Sequence, residues 1–152
     1  MIIDKRNEFC DAVPLSTQAS GSTALLGDQI DLTVARDVGN GCAPYLVITV
    51  DTPPTSGTSA ATAKFTLASD AAAAIATNGS ASVHFETKAF AISEMAAGQV
   101  LAAVKLPMEG VAYERYLGIL QTTGGEAFTG GKINAFLTMD VAKWKAYDDA
   151  IA

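Results

Sequence analysis

The stretch Ala63-Lys64-Phe65-Thr66-Leu67 alternates apolar and polar residues without a break, and this pattern decides the fold class. Successive side chains of a β-strand point to opposite faces, so the stretch has one apolar face to bury. The same period of two recurs along most of the chain and predicts further strands. Their ranges are 30–34, 46–50, 81–86, 90–92, 100–106, 116–121 and 133–139. About eight short strands in a chain of this length indicate an all-β antiparallel sandwich.

Helix is expected at two places. Asp70 precedes a run of alanines that reaches Ile75, which predicts a helix cap and a short helical turn. Asp140 predicts the cap of a short C-terminal helix that extends to Ala150. In that helix three residues share one face: Val141, Trp144 and Tyr147. The segment from Pro53 to Ser59 has turn-forming residues and no apolar anchor, so it predicts a loop.

Composition excludes several classes of protein. The chain has 152 residues, which is the size of one ordinary domain spanning 1–152. Apolar residues make up 49% of the chain and the net charge is only −6, so the chain is not of the disordered class. Acidic residues exceed basic ones, which argues against nucleic acid as a partner. Only 17% of the residues are charged, which is low for a monomer surrounded by water.

The sequence has no pattern typical of a membrane segment or a secretory signal. Its longest stretch without a charged residue, Ala12 to Gly27, contains Pro14 and is shorter than the ~20 apolar residues that span a bilayer. The first three residues are apolar and charged residues follow them, which reverses the order of a secretory signal. We therefore expect no membrane partner, and synthesis in a cytoplasm. In that reducing compartment we expect Cys10 and Cys42 to be free thiols.

The sequence predicts no catalytic, cofactor or metal site. His84 is the only histidine, and it shares a strand face with Ser82 and Glu86, so we expect it to face outward. One histidine and two distant cysteines cannot supply a zinc tetrahedron or the metal site of a cupin. The stretch from Gly125 to Lys132 is similar to a phosphate-binding loop, but Ile133 stands where a magnesium-binding Ser or Thr is needed. We interpret that stretch as a glycine-rich hairpin loop and the protein as a non-enzyme.

Polar and aromatic side chains are densest between Glu109 and Tyr116. The charged groups of Glu109, Glu114 and Arg115 could form an ion-pair network, and the tyrosines Tyr113 and Tyr116 could be interface anchors. Aromatic residues and arginine are enriched in protein–protein contact patches. We interpret the segment as a candidate interface loop, and a loop that packs into its own domain is the alternative.

Five segments together carry a resemblance to a known family. They are Asp4–Ala12, Ala35–Gly41, Tyr45–Asp51, Leu106–Gly118 and Lys132–Asp140. They resemble the small capsid cement (decoration) proteins of short-tailed bacteriophages, of the type first seen on a Bordetella phage. The similarity runs from Asp4 to about Tyr147 and is most specific from Leu106 to Gly118. None of the segments contains a catalytic motif.

The resemblance implies a jelly-roll-like fold and a structural protein of the virion. Such a protein coats the exterior of the capsid after synthesis in the host cytoplasm. Its implied partners are the major capsid protein, whose neighbouring subunits it bridges and stabilises, and further copies of itself in a homodimer or homotrimer. The alternative function is a carbohydrate- or receptor-binding jelly-roll module, a class that usually offers aromatic platforms or calcium. The chain has a single tryptophan, Trp144, and no calcium-loop spacing.

Two elements are the predicted contacts with the capsid or with other copies, because both are rich in groups that make directional contacts. One is a charged N-terminal arm within residues 1–12, and the other is the Glu109–Tyr116 loop. The Pro53–Ser59 loop is a third candidate. The predicted contact residues are Asp4, Lys5, Arg6, Glu8, Phe9, Glu109, Tyr113, Glu114, Arg115 and Tyr116.

Overall fold

A computed structural model describes residues 4–15, 17–36, 38, 41–107 and 110–141. These residues form two antiparallel sheets that enclose one core, which confirms the predicted all-β sandwich. The strands are β1 (Glu8–Pro14), β2 (Thr23–Asp31), β3 (Tyr45–Ser56), β4 (Thr62–Asp70), β5 (Ser82–Glu86), β6 (Phe90–Ala91), β7 (Val100–Lys105), β8 (Tyr116–Gly124) and β9 (Phe128–Thr138). The first sheet has the order β1-β9-β3-β7, and the second has the order β2-β8-β4-β5 with β6 beside β4. The chain crosses between the sheets at most connections, which is the jelly-roll arrangement.

The core is built mainly by strands that the alternation pattern identifies. In β4, Ala63, Phe65 and Leu67 point into the core and are fully buried, as the alternation predicts. Ile48 of β3 and Ile133 of β9 meet them from the first sheet. A large apolar side chain buried in this way contributes about 1.5–3 kcal/mol relative to an exposed position. These strands therefore supply much of the free energy that holds the two sheets together.

The alternation pattern does not reveal β1 and misplaces β2. β1 changes its register against β9 twice, and β2 changes its register against β8 between Leu26 and Ile30. Each irregularity moves the following side chains to the other face, so the period of two is broken in the sequence. The predicted strand 30–34 is wrong in its bounds, because β2 ends at Asp31 and begins at Thr23.

β1 and β2 meet at Gly27, which joins the two sheets at one edge. A Cβ atom at Gly27 would collide with the carbonyl of Phe9 and the Cβ of Cys10, and its φ is +71°. Glycine tolerates both conditions, so the two strands can approach closely. Phe9 and Cys10 are 1% and 3% exposed. The predicted N-terminal arm, residues 1–12, therefore ends before Glu8, because the chain from that residue onward is a packed strand.

The predicted loop Pro53–Ser59 is in part a strand, because β3 continues to Ser56. Proline cannot donate to a strand ladder and is tolerated at an open edge. β7 pairs with β3 only as far as Thr49, so the two prolines lie beyond that pairing. Pro54 packs against Gly131 of β9, where a Cβ atom would come within 2.6 Å of the proline Cα. Glycine in the partner strand thus makes room for the proline.

Helix is a minor part of this structure. Two short 3-10 turns, Lys5–Asn7 and Ile92–Glu94, occur among the described residues. The predicted C-terminal helix, Asp140–Ala150, lies outside the described residues from position 142 onward. In the described ranges, none of the helical segments has the length and apolar character that a membrane span requires.

The helical turn predicted after Asp70 is absent from the structure. The Asp70 carboxylate accepts hydrogen bonds from the backbone N–H groups of Ala72 and Ala76, both at 3.0 Å. A side chain that bonds nearby amides in this way competes with helix formation. Ile75 is 5% exposed and packs with Leu120 on the outer face of the second sheet. The segment is therefore held by its own aspartate and by one apolar anchor.

Candidate interaction surface

Residues 4–7 form a short capped turn rather than a free arm. Asp4 Oδ1 accepts a hydrogen bond from the N–H of Arg6 at 3.0 Å, which caps the turn Lys5–Asn7. Asp4, Lys5 and Arg6 are exposed, so they remain candidates for contact with a partner. Phe9 is not a candidate for such a contact, because its ring lies in the core and only 1% of the residue is exposed. The predicted contact role of the Phe9 side chain is therefore wrong for the folded chain.

An open groove of about 620 Å³ lies between this turn and the end of β2. One part of its lining consists of three predicted contact residues, Lys5, Arg6 and Glu8. The other part consists of Asp28–Asp31 and Thr33. The groove is therefore bordered by charged side chains of both signs, and the N-terminal turn is one of its walls.

Arg115 connects the second predicted contact element to this groove. Its Nε and NH2 groups donate to the two carboxylate oxygens of Asp31, each at 2.9 Å. These bonds, with a further one from the N–H of Thr33, lower the pKa of Asp31 to about 2. The guanidinium also lies 4.9 Å from the ring centroid of Tyr116, within the range of a cation–π contact. The structure thus brings the N-terminal turn and the residues around Arg115 to one side of the molecule.

Tyr113 holds the contact loop, residues 110–116, in place. It is 5% exposed, and its hydroxyl donates to the carbonyl of Pro107 at 3.0 Å. Its ring stacks on His84, with 3.9 Å between the ring centroids and 12° between the ring planes. The predicted role of the Tyr113 ring as a surface anchor is wrong, because the ring packs into its own domain. It acts instead as the internal support of the loop.

Glu114 supports the same loop through two hydrogen bonds. Its N–H donates to Ser69 Oγ at 3.0 Å, and its carboxylate accepts from the hydroxyl of Ser82 at 2.7 Å. These bonds tie the contact loop to β4 and to β5. Glu109, which was also predicted as a contact, lies outside the described residues.

Two exposed valines lie within or close to the contact loop, and we call them the valine rim: Val34 and Val111. Each is 56% exposed. Among the described residues the other large apolar side chains with comparable exposure are Val83, on the outer face of β5, and Met139, which follows β9. Apolar side chains beside ordered charged groups are typical of protein–protein contact sites. The valine rim is therefore the apolar part of the candidate interaction surface.

The backbone brings the segment before Val34 to the contact loop. The N–H of Leu32, two residues before Val34, donates to the carbonyl of Arg115 at 2.8 Å. Val111 lies within the loop itself. Val83 follows Ser82, which bonds to Glu114, but successive strand side chains point to opposite faces, so Val83 is not part of the rim. The sequence pattern assigned Val34 and Val83 to strands. It could not reveal their exposure, because Val34 lies beyond the end of β2 and β5 is the last strand of its sheet.

The polar groups near the loop do not form an accessible catalytic or metal site. Ser69 Oγ lies 2.7 Å from Nε2 of His84, a pairing that also occurs in hydrolases. Ser69 is fully buried, so its hydroxyl is closed to a substrate from solution. No cluster of three or more His, Cys, Asp or Glu side chains able to hold a metal occurs among the described residues. Cys10 and Cys42 are both free, as predicted.

Comparison with known proteins gives a family but no characterised relative. The Bbp16 family model matches residues 15–137, which include the contact loop and most of both sheets. A Bbp-type name indicates a Bordetella phage protein, the source type of the family that the sequence resembles. No curated protein matches the chain.

Proposed function

Because this chain belongs to the Bbp16 family, we propose that it is a phage capsid cement protein. It binds the outer surface of the shell and bridges neighbouring major capsid subunits, and it has no catalytic role. Its place is the exterior of the virion capsid, which it reaches after synthesis in the host cytoplasm. The observation that carries this proposal is the valine rim at a loop fixed by internal polar contacts.

The surface suits a contact that is weak for one copy and strong for many. A half-exposed valine that becomes buried contributes about 1 kcal/mol, so the two valines of the rim give a modest affinity. The Arg115–Asp31 pair is already formed, so little side-chain freedom is lost when a partner covers it. Contacts repeated over one shell act together, because each bound copy raises the effective concentration for further contacts.

Self-association forms a second part of the proposal. A homodimer or homotrimer suits a symmetric shell, since closed rotational symmetry presents several identical contact surfaces at once. A charged fraction of only 17% fits a protein whose surface is partly covered by capsid and by other copies. A net charge of −6 does not favour capture of the packaged DNA, which fits a position outside the shell.

The test is co-sedimentation of the purified chain with undecorated capsid shells. We expect the wild type to bind, and Val111→Asp to lower the bound fraction at least tenfold because it places a charge in the apolar rim. Ala97→Asp is the matched control, since Ala97 is exposed and precedes β7, at the opposite end of that strand from the contact loop. It should bind like the wild type. Equal thermal stability of all three proteins shows that folding is not the cause.

Two results would overturn the proposal. One is a wild-type chain that does not bind shells at any accessible concentration. The other is a Val111→Asp variant that binds as well as the wild type, which would remove the valine rim from the contact. A glycan array run in parallel covers the alternative function, because binding to a glycan without binding to shells would favour a carbohydrate-binding module.

A further inference from the structure

His84 lies at the centre of the contacts that fix the contact loop. It is the extra residue of a bulge in β5, because Phe85 pairs with Leu67 while Val83 pairs with Ala68. A bulge turns a side chain away from the regular alternation. Here the bulged imidazole stacks on Tyr113 of the contact loop. The only histidine of the chain therefore connects an edge strand to the candidate interaction surface.

The hydrogen bonds around Ser69 link the contact loop to the His84 ring. Ser69 Oγ accepts the N–H of Glu114 at 3.0 Å and lies 2.7 Å from Nε2 of His84. A neutral ring that carries its hydrogen on Nδ1 can accept the Ser69 proton at Nε2. A protonated ring would instead present an N–H to the Ser69 oxygen. The Ser69 proton would then lose this acceptor inside a fully buried site, which is costly.

We propose that His84 is an acid-sensitive latch on the contact loop. Protonation of the imidazole places a charge in a half-buried site and removes the acceptor of the Ser69 proton, and this loosens the loop that carries Val111. Attachment to the capsid then weakens in mildly acidic solution. This last step rests on the proposed function, whereas the loosening of the loop is a property of the isolated chain.

Desolvation is the main influence on the pKa of His84, ahead of the charged groups near the ring. The contact loop presents the Glu114 carboxylate and the Tyr113 phenol, and β4 presents the uncharged Ser69. Along β5 itself, Glu86 is paired with Lys64. Burial lowers the pKa of His84, and the Glu114 carboxylate opposes this effect without reversing it. The neutral ring is thus the favoured form in the closed loop.

The direction of the pH effect follows from this difference. A histidine freed by loop opening has its ordinary pKa of 6.5, whereas the closed loop holds the pKa lower. The open form therefore binds a proton more readily, and acid shifts the population toward it. The stabilising effect of the latch is complete above about pH 6.5 and is lost as the pH falls below that value. Between pH 7.5 and 5.5 the open population rises by up to about tenfold.

Hydrogen exchange of the Glu114 amide in the isolated chain tests the latch, because this amide donates to Ser69. After correction for intrinsic exchange, we expect it to exchange up to about tenfold faster at pH 5.5 than at pH 7.5. The Ala76 amide, which bonds to Asp70, serves as the internal control and should not respond. His84→Phe keeps an aromatic ring and His84→Gln keeps a polar side chain, and neither can titrate. Both variants should lose the pH dependence.

Two results would overturn the latch: a Glu114 amide whose corrected exchange is equal at the two pH values, or a rise that persists in both His84 variants. Capsid shells decorated with the wild-type chain should also release it at pH 5.5, whereas shells decorated with the His84→Gln variant should retain that variant. If the amide responds but the chain never binds shells, the latch stands and the capsid function fails. If shells bind the chain at both pH values and the Glu114 amide does not respond to pH, the capsid function stands and the latch fails.

Discussion

Replacing Phe9 with alanine tests whether the N-terminal residues are a packed strand. The residue is 1% exposed and lies among the core side chains of both sheets, so the variant removes a whole ring from a closed space. Loss of a buried phenylalanine ring costs about 3–5 kcal/mol, from lost transfer free energy and from the cavity left behind. The total free energy of unfolding of a domain is about 5–15 kcal/mol. The melting temperature should fall by about 6–20 °C.

Urea unfolding monitored by circular dichroism measures this loss of unfolding free energy. Val34→Ala is the control, because Val34 is 56% exposed and its truncation should change the free energy by less than about 0.5 kcal/mol. A Phe9→Ala loss below about 1 kcal/mol would refute the reasoning, since it would show that residues 8–14 behave as a loose arm. Deletion of residues 1–7 should leave a folded chain, whereas deletion of residues 1–12 should not.

Two further predictions concern titratable groups. Burial raises the pKa of the Cys10 thiol to about 12. A thiol reagent at neutral pH should therefore label the exposed Cys42 at once and Cys10 only after unfolding. Equal labelling rates of the two thiols would contradict this prediction. Glu126 accepts bonds from Ser56, from Thr58 and from the Ala60 amide, and these lower its pKa from 4.5 to about 2. A lowered pKa contributes stability above pH 4.5 that is lost as the pH falls toward 2. The urea midpoint of unfolding should therefore drop less over that pH range in Glu126→Gln than in the wild type. Equal drops in the two proteins would show that the Glu126 carboxylate does not stabilise the fold through these bonds.

The central strands could be predicted where their pairing is regular. β4 and the second half of β9, from Ile133 to Thr138, are paired on both sides and alternate core-facing with outward-facing residues, so burial imposes the period of two on their sequences. The first half of β9 shifts its register against β3 and was not predicted as a strand. β1 and β2 lie at the sheet edges and contain register shifts, so the face that is buried changes along each strand. A sequence pattern that assumes one face per strand cannot follow such a change. The same limit explains why β3 was not expected to continue through Pro53 and Pro54.

The candidate interaction surface could be predicted only in part. Arg115 and Tyr116 were selected for their chemistry, and both lie beside the groove near Asp31. Tyr113 was selected for the same reason, yet its ring supports the loop from inside. Chemistry alone does not tell whether a tyrosine faces a partner or its own domain, because both settings favour an aromatic ring with a polar tip. Only the fold shows which side of the loop is free.

The amino-acid sequence by itself determined that this protein is an all-β sandwich and that its composition is acidic and low in charge. Those properties follow from local alternation and from composition, which each segment carries independently of its neighbours. The tertiary structure alone decided that Arg115 pairs with Asp31, that His84 stacks on Tyr113 and that Glu114 bonds to Ser69 and Ser82. These contacts join residues far apart in the chain, and their geometry depends on strand register and bulges. No local pattern encodes such geometry, because it is set by how the two sheets pack.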